Sequence, residues 1–124
     1  MNNFFELKGK IIDKIVGLKD ESQTVDIHTK DGYIYRLEHL QDCCEYVRVF
    51  NFVGDANDIY GSEIVLAEDD NPMDNPFAPE YKAYEHNTWT VFKLVAANES
   101  SLEIWWLGES NGYYSENVNF NKIV

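Results

Sequence analysis

A chain of 124 residues, 44% hydrophobic and 15% aromatic, is long and apolar enough to bury a core, which excludes a disordered tail. Its formal net charge of −12 repels phosphate, so ordinary nucleic-acid binding is disfavoured. No apolar run approaches the roughly 20 residues that span a bilayer, and the opening Met1-Asn2-Asn3-Phe4-Phe5-Glu6 lacks the basic and apolar regions of a secretory leader, so a cytoplasmic, membrane-free protein is expected.

Residues 8–18 carry the β-branched Ile11, Ile12, Ile15 and Val16 between Gly9 and Gly17, which favours a strand over a short helix. A hairpin follows, joining residues 25–29 to 33–37. Its loop is expected to be the three residues Lys30-Asp31-Gly32, because that register pairs Ile27 with Tyr35, Val25 with Leu37 and Asp26 with Arg36. A two-residue turn would instead set Ile27 against Arg36 and mix apolar with charged side chains. Next come the adjacent Cys43 and Cys44. A disulfide between chain neighbours closes a tight ring and staples no loop, so both are expected as free thiols. His39 is expected in a hydrogen-bonded turn ahead of them.

Residues 46–52 and 63–67 read as strands, with one helical turn between Gly54 and Gly61, capped by Asp55. Residues 69–87 hold all three prolines and several acids and read as a long loop. Residues 89–96 are apolar on both faces, as a covered central strand would be. A second hairpin is expected between residues 102–109 and 113–120 around Ser110-Asn111-Gly112, pairing Leu102 with Phe120 and Ile104 with Val118. The sum is one mainly β domain over residues 1–124. It is an antiparallel barrel or sandwich of about seven strands with one short helix and a long acidic, proline-containing loop.

Charge is unevenly placed. Residues 1–30 balance five acids with five bases, whereas residues 55–85 hold nine acids against the single base Lys82. Asp55, Asp58, Glu68, Asp69 and Asp70 are therefore candidate contacts for a basic partner surface. Clustered carboxylates can also hold calcium or magnesium, but the spacing lacks the closing glutamate of a helix–loop–helix calcium site, and no metal or other cofactor is expected. The solvent face of the second hairpin should carry Trp105, Leu107, Tyr113, Ser115 and Asn117. Of these, Trp105, Leu107, Tyr113 and Asn117 are candidate binding residues, because a tryptophan beside tyrosine and asparagine makes an interface anchor. No phosphate-cradling glycine loop, metal-binding helix or nucleophile–base–orienter set is legible, so no enzymatic activity is expected.

Several runs together resemble a known family: Asp42-Cys43-Cys44-Glu45-Tyr46-Val47, Gly54-Asp55, Gly61-Ser62-Glu63-Ile64, Ala67-Glu68, Thr88-Trp89-Thr90, and Trp106 through Glu116. The set is similar to a family of small phage and bacterial proteins carrying a domain of unknown function, over about residues 9 to 120. The resemblance implies a phage or prophage setting and carries over no activity, cofactor or catalytic residue. The expected function is thus a small acidic binding protein that contacts another protein, such as a host defence or nucleic-acid-handling protein. The rivals are a small-ligand-binding barrel with tryptophans and tyrosines at its mouth, and a virion or assembly component.

Overall fold

A computed structural model describes residues 3–73 and 86–124. Eight strands form two four-stranded antiparallel sheets packed as a sandwich. The first sheet has β1 (Ile12–Val16), β2 (Thr24–Thr29), β3 (Ile34–Glu38) and β8 (Asn119–Lys122), in the order β1-β2-β3-β8. The second has β4 (Tyr46–Val53), β5 (Ile64–Asp70), β6 (His86–Ala96) and β7 (Ser101–Ser110), in the order β4-β7-β6-β5. Among the described residues no helix is long and apolar enough to cross a membrane.

The first hairpin has the expected register: Val25 pairs with Leu37, Asp26 with Arg36 and Ile27 with Tyr35. Alternation then sends Val25, Ile27, Tyr35 and Leu37 inward, where all four are buried. On the other face Arg36 grips Asp26 with two hydrogen bonds, at 2.8 and 3.1 Å. Gly32 closes the loop at φ +94°, a left-handed conformation that costs glycine little. The expected helical turn is a 3-10 turn over Ala56–Asp58, and the Asp55 side chain caps it by accepting from the Asn57 backbone N–H.

The second hairpin is a different one. β7 does not fold back onto residues 113–120; it pairs with β6 on one side and β4 on the other. Residues 111–118 instead cross between the sheets, and β8 pairs with β3, setting Phe120 opposite Leu37. Alternation fixed the faces correctly, since Leu102, Ile104, Trp106, Val118 and Phe120 share the core. It does not identify the strand that pairs. β6 offers ten matched partners, from His86–Ser110 to Val95–Ser101, and this longer apolar ladder prevails.

The sheets lie across one another. The start of β1 bonds to the start of β5 through Gly9, Lys10 and Ile64, with a bridge between Ile11 and Glu63. The turn after β1 bonds to β4 through Glu21, Ser22 and Val49. Because β4 and β5 are opposite edges of the second sheet, β1 spans that sheet's width. A 3-10 turn at Phe4–Leu7 adds two fully buried side chains, and the Phe4 ring packs on Phe92 and Phe120, with centroids 4.9 and 5.2 Å away. The loop expected over residues 69–87 is shorter than anticipated, since Asp69 and Asp70 belong to β5 and His86 and Asn87 to β6. Residues 74–85 of it lie outside the described residues.

Candidate functional site

At one end of the sandwich two buried carboxylates organise the chain, each holding a histidine. The β3–β4 connection wraps around Glu45, whose side chain is fully buried. Glu45 accepts from His39 Nε2 at 2.6 Å, from the backbone N–H of Asp42 and of Cys43 at 2.9 Å each, and from the Gln41 side chain at 3.3 Å. Burial alone would raise its pKa; the His39 hydrogen bond and the two backbone donors outweigh that and hold it at about 2. His39 also reaches the Asn117 carbonyl through Nδ1 at 2.7 Å. Both of its ring nitrogens face acceptor oxygens. His39 is hydrogen-bonded as expected, but through its ring in an irregular connection and not in a turn.

The second carboxylate is Glu116, on the crossing segment. Its Oε2 accepts from the Ser110 hydroxyl and from His86 Nδ1, the latter at 2.8 Å, and its Oε1 accepts from Thr88 Oγ1 at 2.7 Å. Burial pushes the carboxyl upward, but the three donors win and lower its pKa. Gly108 makes room for this: a Cβ there would lie 2.7 Å from the Glu116 Cβ. The run from Gly108 to Glu116 is thus a folding device, in which β7 ends and the chain doubles back onto its last residues.

Cys43 and Cys44 sit beside the Glu45 carboxylate, in an exposed bend before β4. They are joined by a disulfide, which corrects the expectation of free thiols. The bend at these two residues brings the neighbouring sulfurs together, so the tight ring closes although it staples no loop.

The candidate residues of the second hairpin separate. Trp105 and Leu107 do share the outer face of the second sheet, but they are buried there with Trp89, against Phe50 and Val91. The Trp105 indole N–H donates to Glu103 at 3.0 Å. Beside this cluster Arg48 pairs with Glu109 at 2.6 Å, both side chains only 6% exposed, and its guanidinium lies over the Tyr46 ring at 4.4 Å. Tyr113 and Asn117 lie on the crossing segment instead, with Tyr113 exposed and Asn117 contributing its carbonyl to His39. Trp106 belongs to the core between the sheets, on the other side of the strand from Trp105. These aromatics therefore do not gather at one barrel mouth.

The acidic residues keep closer company. Asn98 of the β6–β7 turn bonds the Asp58 carbonyl at 2.8 Å and Ser62 Oγ at 3.1 Å, so residues 55–63 lie against that turn. β5 then runs along the outside of β6. Asp55 follows β4 at one end of the sheet, Asp58 lies against the β6–β7 turn, and Glu63, Glu68, Asp69 and Asp70 continue along the β5 edge; all six are exposed. In the first sheet Asp26 pairs with Arg36 and Asp31 of the β2–β3 loop with Lys10, while Asp13 of β1 is exposed with no ion pair among the described residues. The ion pairs among the described residues leave the six acids of the β5 side without a cation. Asp42 and Glu45 stand apart at the β3–β4 connection, and among the described residues no group of three or more His, Cys, Asp or Glu is placed to hold a metal ion.

Sequence reading missed Glu116, Thr88 and the Arg48–Glu109 pair. Glu116 bonds residues 6 and 30 positions away, and strand alternation does not encode such contacts. Chemically, the Ser110 hydroxyl and the His86 ring both address the carboxylate rather than each other. The histidine therefore does not draw a proton from the serine, and the three do not make a nucleophile–base pair.

No curated protein and no solved structure matches the chain. A family model described as Domain of unknown function (DUF7448) matches residues 6–120, and the chain belongs to that family.

Proposed function

We propose that the chain is a small acidic, phage-associated protein that works in the cytoplasm of a bacterial host by docking on a basic protein surface. The observation that carries this reading is the side built by β5 and the turn before it, where six exposed carboxylates have no cation partner among the described residues. Unpaired charge of one sign along a strand speeds encounter with an opposite surface and rejects phosphate. A host protein that handles nucleic acid or defends against phage presents such a surface, and occupying it would inhibit that protein. The resemblance of the motif runs to those of small phage and bacterial proteins supports the setting. Binding, not catalysis, is the activity proposed.

The test is capture from host lysate on the immobilised chain at low and high salt, read by mass spectrometry, then titration of the purified captured protein. Retention at low salt and release at high salt is expected, because surface charge is screened within about 8 Å at physiological ionic strength. Substituting Glu68→Gln, Asp69→Asn and Asp70→Asn together should weaken the titrated binding by on the order of tenfold or more, mainly through a slower on-rate. Binding that is indifferent to both salt and the triple substitution would sink the proposal.

A further inference from the structure

We propose that Cys43–Cys44 is a reversible thiol–disulfide exchange site whose reaction partners are small thiols and disulfides of the glutathione type. A disulfide stabilises a fold mainly by restricting the unfolded chain, and the restriction grows with the loop it closes. One between sequence neighbours closes no loop, so stability does not account for it. The bend around it is held by other means. The Glu45 carboxylate binds the N–H groups of Asp42 and Cys43, and the Gln41 side chain donates to the carbonyls of Cys43 and Glu45, at 3.1 and 2.7 Å. None of these bonds involves sulfur. Opening the S–S bond therefore leaves both cysteines in the same bend, exposed and within reach of each other. Exposed disulfides are also the ones small thiols can attack.

The exchange balances as follows. A thiolate attacks one sulfur, the Cys43–Cys44 bond breaks, and a mixed disulfide forms while the other cysteine leaves as a thiolate and takes up a proton. A second thiolate attacks the mixed disulfide at the sulfur of the bound small thiol. This releases the small disulfide and leaves the second cysteine as a thiol. Two electrons and two protons pass to the protein, and two small thiols become one disulfide. The reverse sequence reoxidises the bend.

The experiment equilibrates the folded chain in buffers of varied reduced-to-oxidised glutathione ratio, quenches with an alkylating reagent and reads intact mass. The expected result is one two-electron transition between chains with no alkylated cysteine and chains with two, with little mixed disulfide. Two alkylated thiols at every ratio would overturn the proposal, as would stepwise glutathionylation of each cysteine separately. So would a bond that survives excess dithiothreitol in the folded chain. Phenylarsine oxide is the second probe: each reduced chain should take one arsenic, forming two As–S bonds and releasing water. Cys43→Ser and Cys44→Ser should each lose that retention and hold glutathione as a stable mixed disulfide. Reduced and oxidised wild type should unfold at nearly the same denaturant concentration; a large loss on reduction would make the bond a structural staple and defeat the inference.

Discussion

Gly108 shows how a single position can be dictated by a residue far along the chain. It stands inside β7, where glycine ordinarily weakens a strand. Its reason is close approach: an added Cβ would meet the Glu116 Cβ at 2.7 Å and the Glu116 backbone oxygen at 3.0 Å. Glu116 does not give way freely, because Ser110, His86 and Thr88 hold its carboxylate. Gly108→Ala is therefore expected to destabilise the fold by about 1–3 kcal/mol, the usual cost of forcing atoms into a packed interior. Urea unfolding checks it, and a midpoint equal to wild type would mean that the crossing segment yields without cost. Glu116 itself could not have been read as a hub from periodicity. What marked it was its place in a polar run with serine, glycine and tyrosine, which reads first as an ordinary turn.

Elements were legible where local pattern and pairing are the same problem. The β2–β3 hairpin is such a case, since loop length, Gly32 and the facing of Ile27 and Tyr35 all agree on one register. β7 is the opposite case. Its alternation fits β6 and residues 113–120 about equally well, and the choice rests on the tertiary arrangement that buries β6 between β7 and β5. The β3–β4 connection adds a testable consequence of its own. Glu45 has an ordinary pKa of 4.5 and a folded value of about 2, so the unfolded chain takes up this proton more readily than the folded one. The stability it contributes is present above pH 4.5 and is lost as pH falls through 2. At neutral pH, Glu45→Gln should unfold at lower urea than wild type, since an amide supplies one acceptor oxygen where His39 and two backbone N–H groups need partners. As pH falls across that window the two midpoints should converge, with wild type falling more steeply than the variant, which keeps the lowered carboxyls of Glu116 and Asp31. Parallel curves would place the acid sensitivity of the fold in other carboxylates.

At the scale of the molecule the question is what an excess of charge costs and what it returns. Asp26 pairs with Arg36, Asp31 with Lys10, and the Arg48–Glu109 pair is buried, whereas residues 55–70 hold six acids and no base, so a run of acids of one sign lies along β5 and the turn before it. Glu68 and Asp70 rise from one face of β5 and Asp69 from the other, with Lys93 opposite Glu68 across the ladder. Three successive carboxylates on an edge strand repel one another, and they also discourage a second copy from adding to the edge. Neutralising them as Glu68→Gln, Asp69→Asn and Asp70→Asn should therefore act in two directions at once. The isolated chain should become equally stable or slightly more stable, by a few tenths of a kcal/mol, as repulsion is relieved. Its stability should also depend less on added salt than that of wild type. Association with a basic partner should slow, with the dissociation rate changing less, because exposed charges govern encounter more than residence. Thermal unfolding at two salt concentrations and surface-plasmon kinetics separate these effects. A variant that is both less stable and unchanged in association would assign the acids to holding β5 in place, leaving the partner surface to be sought elsewhere on the sandwich.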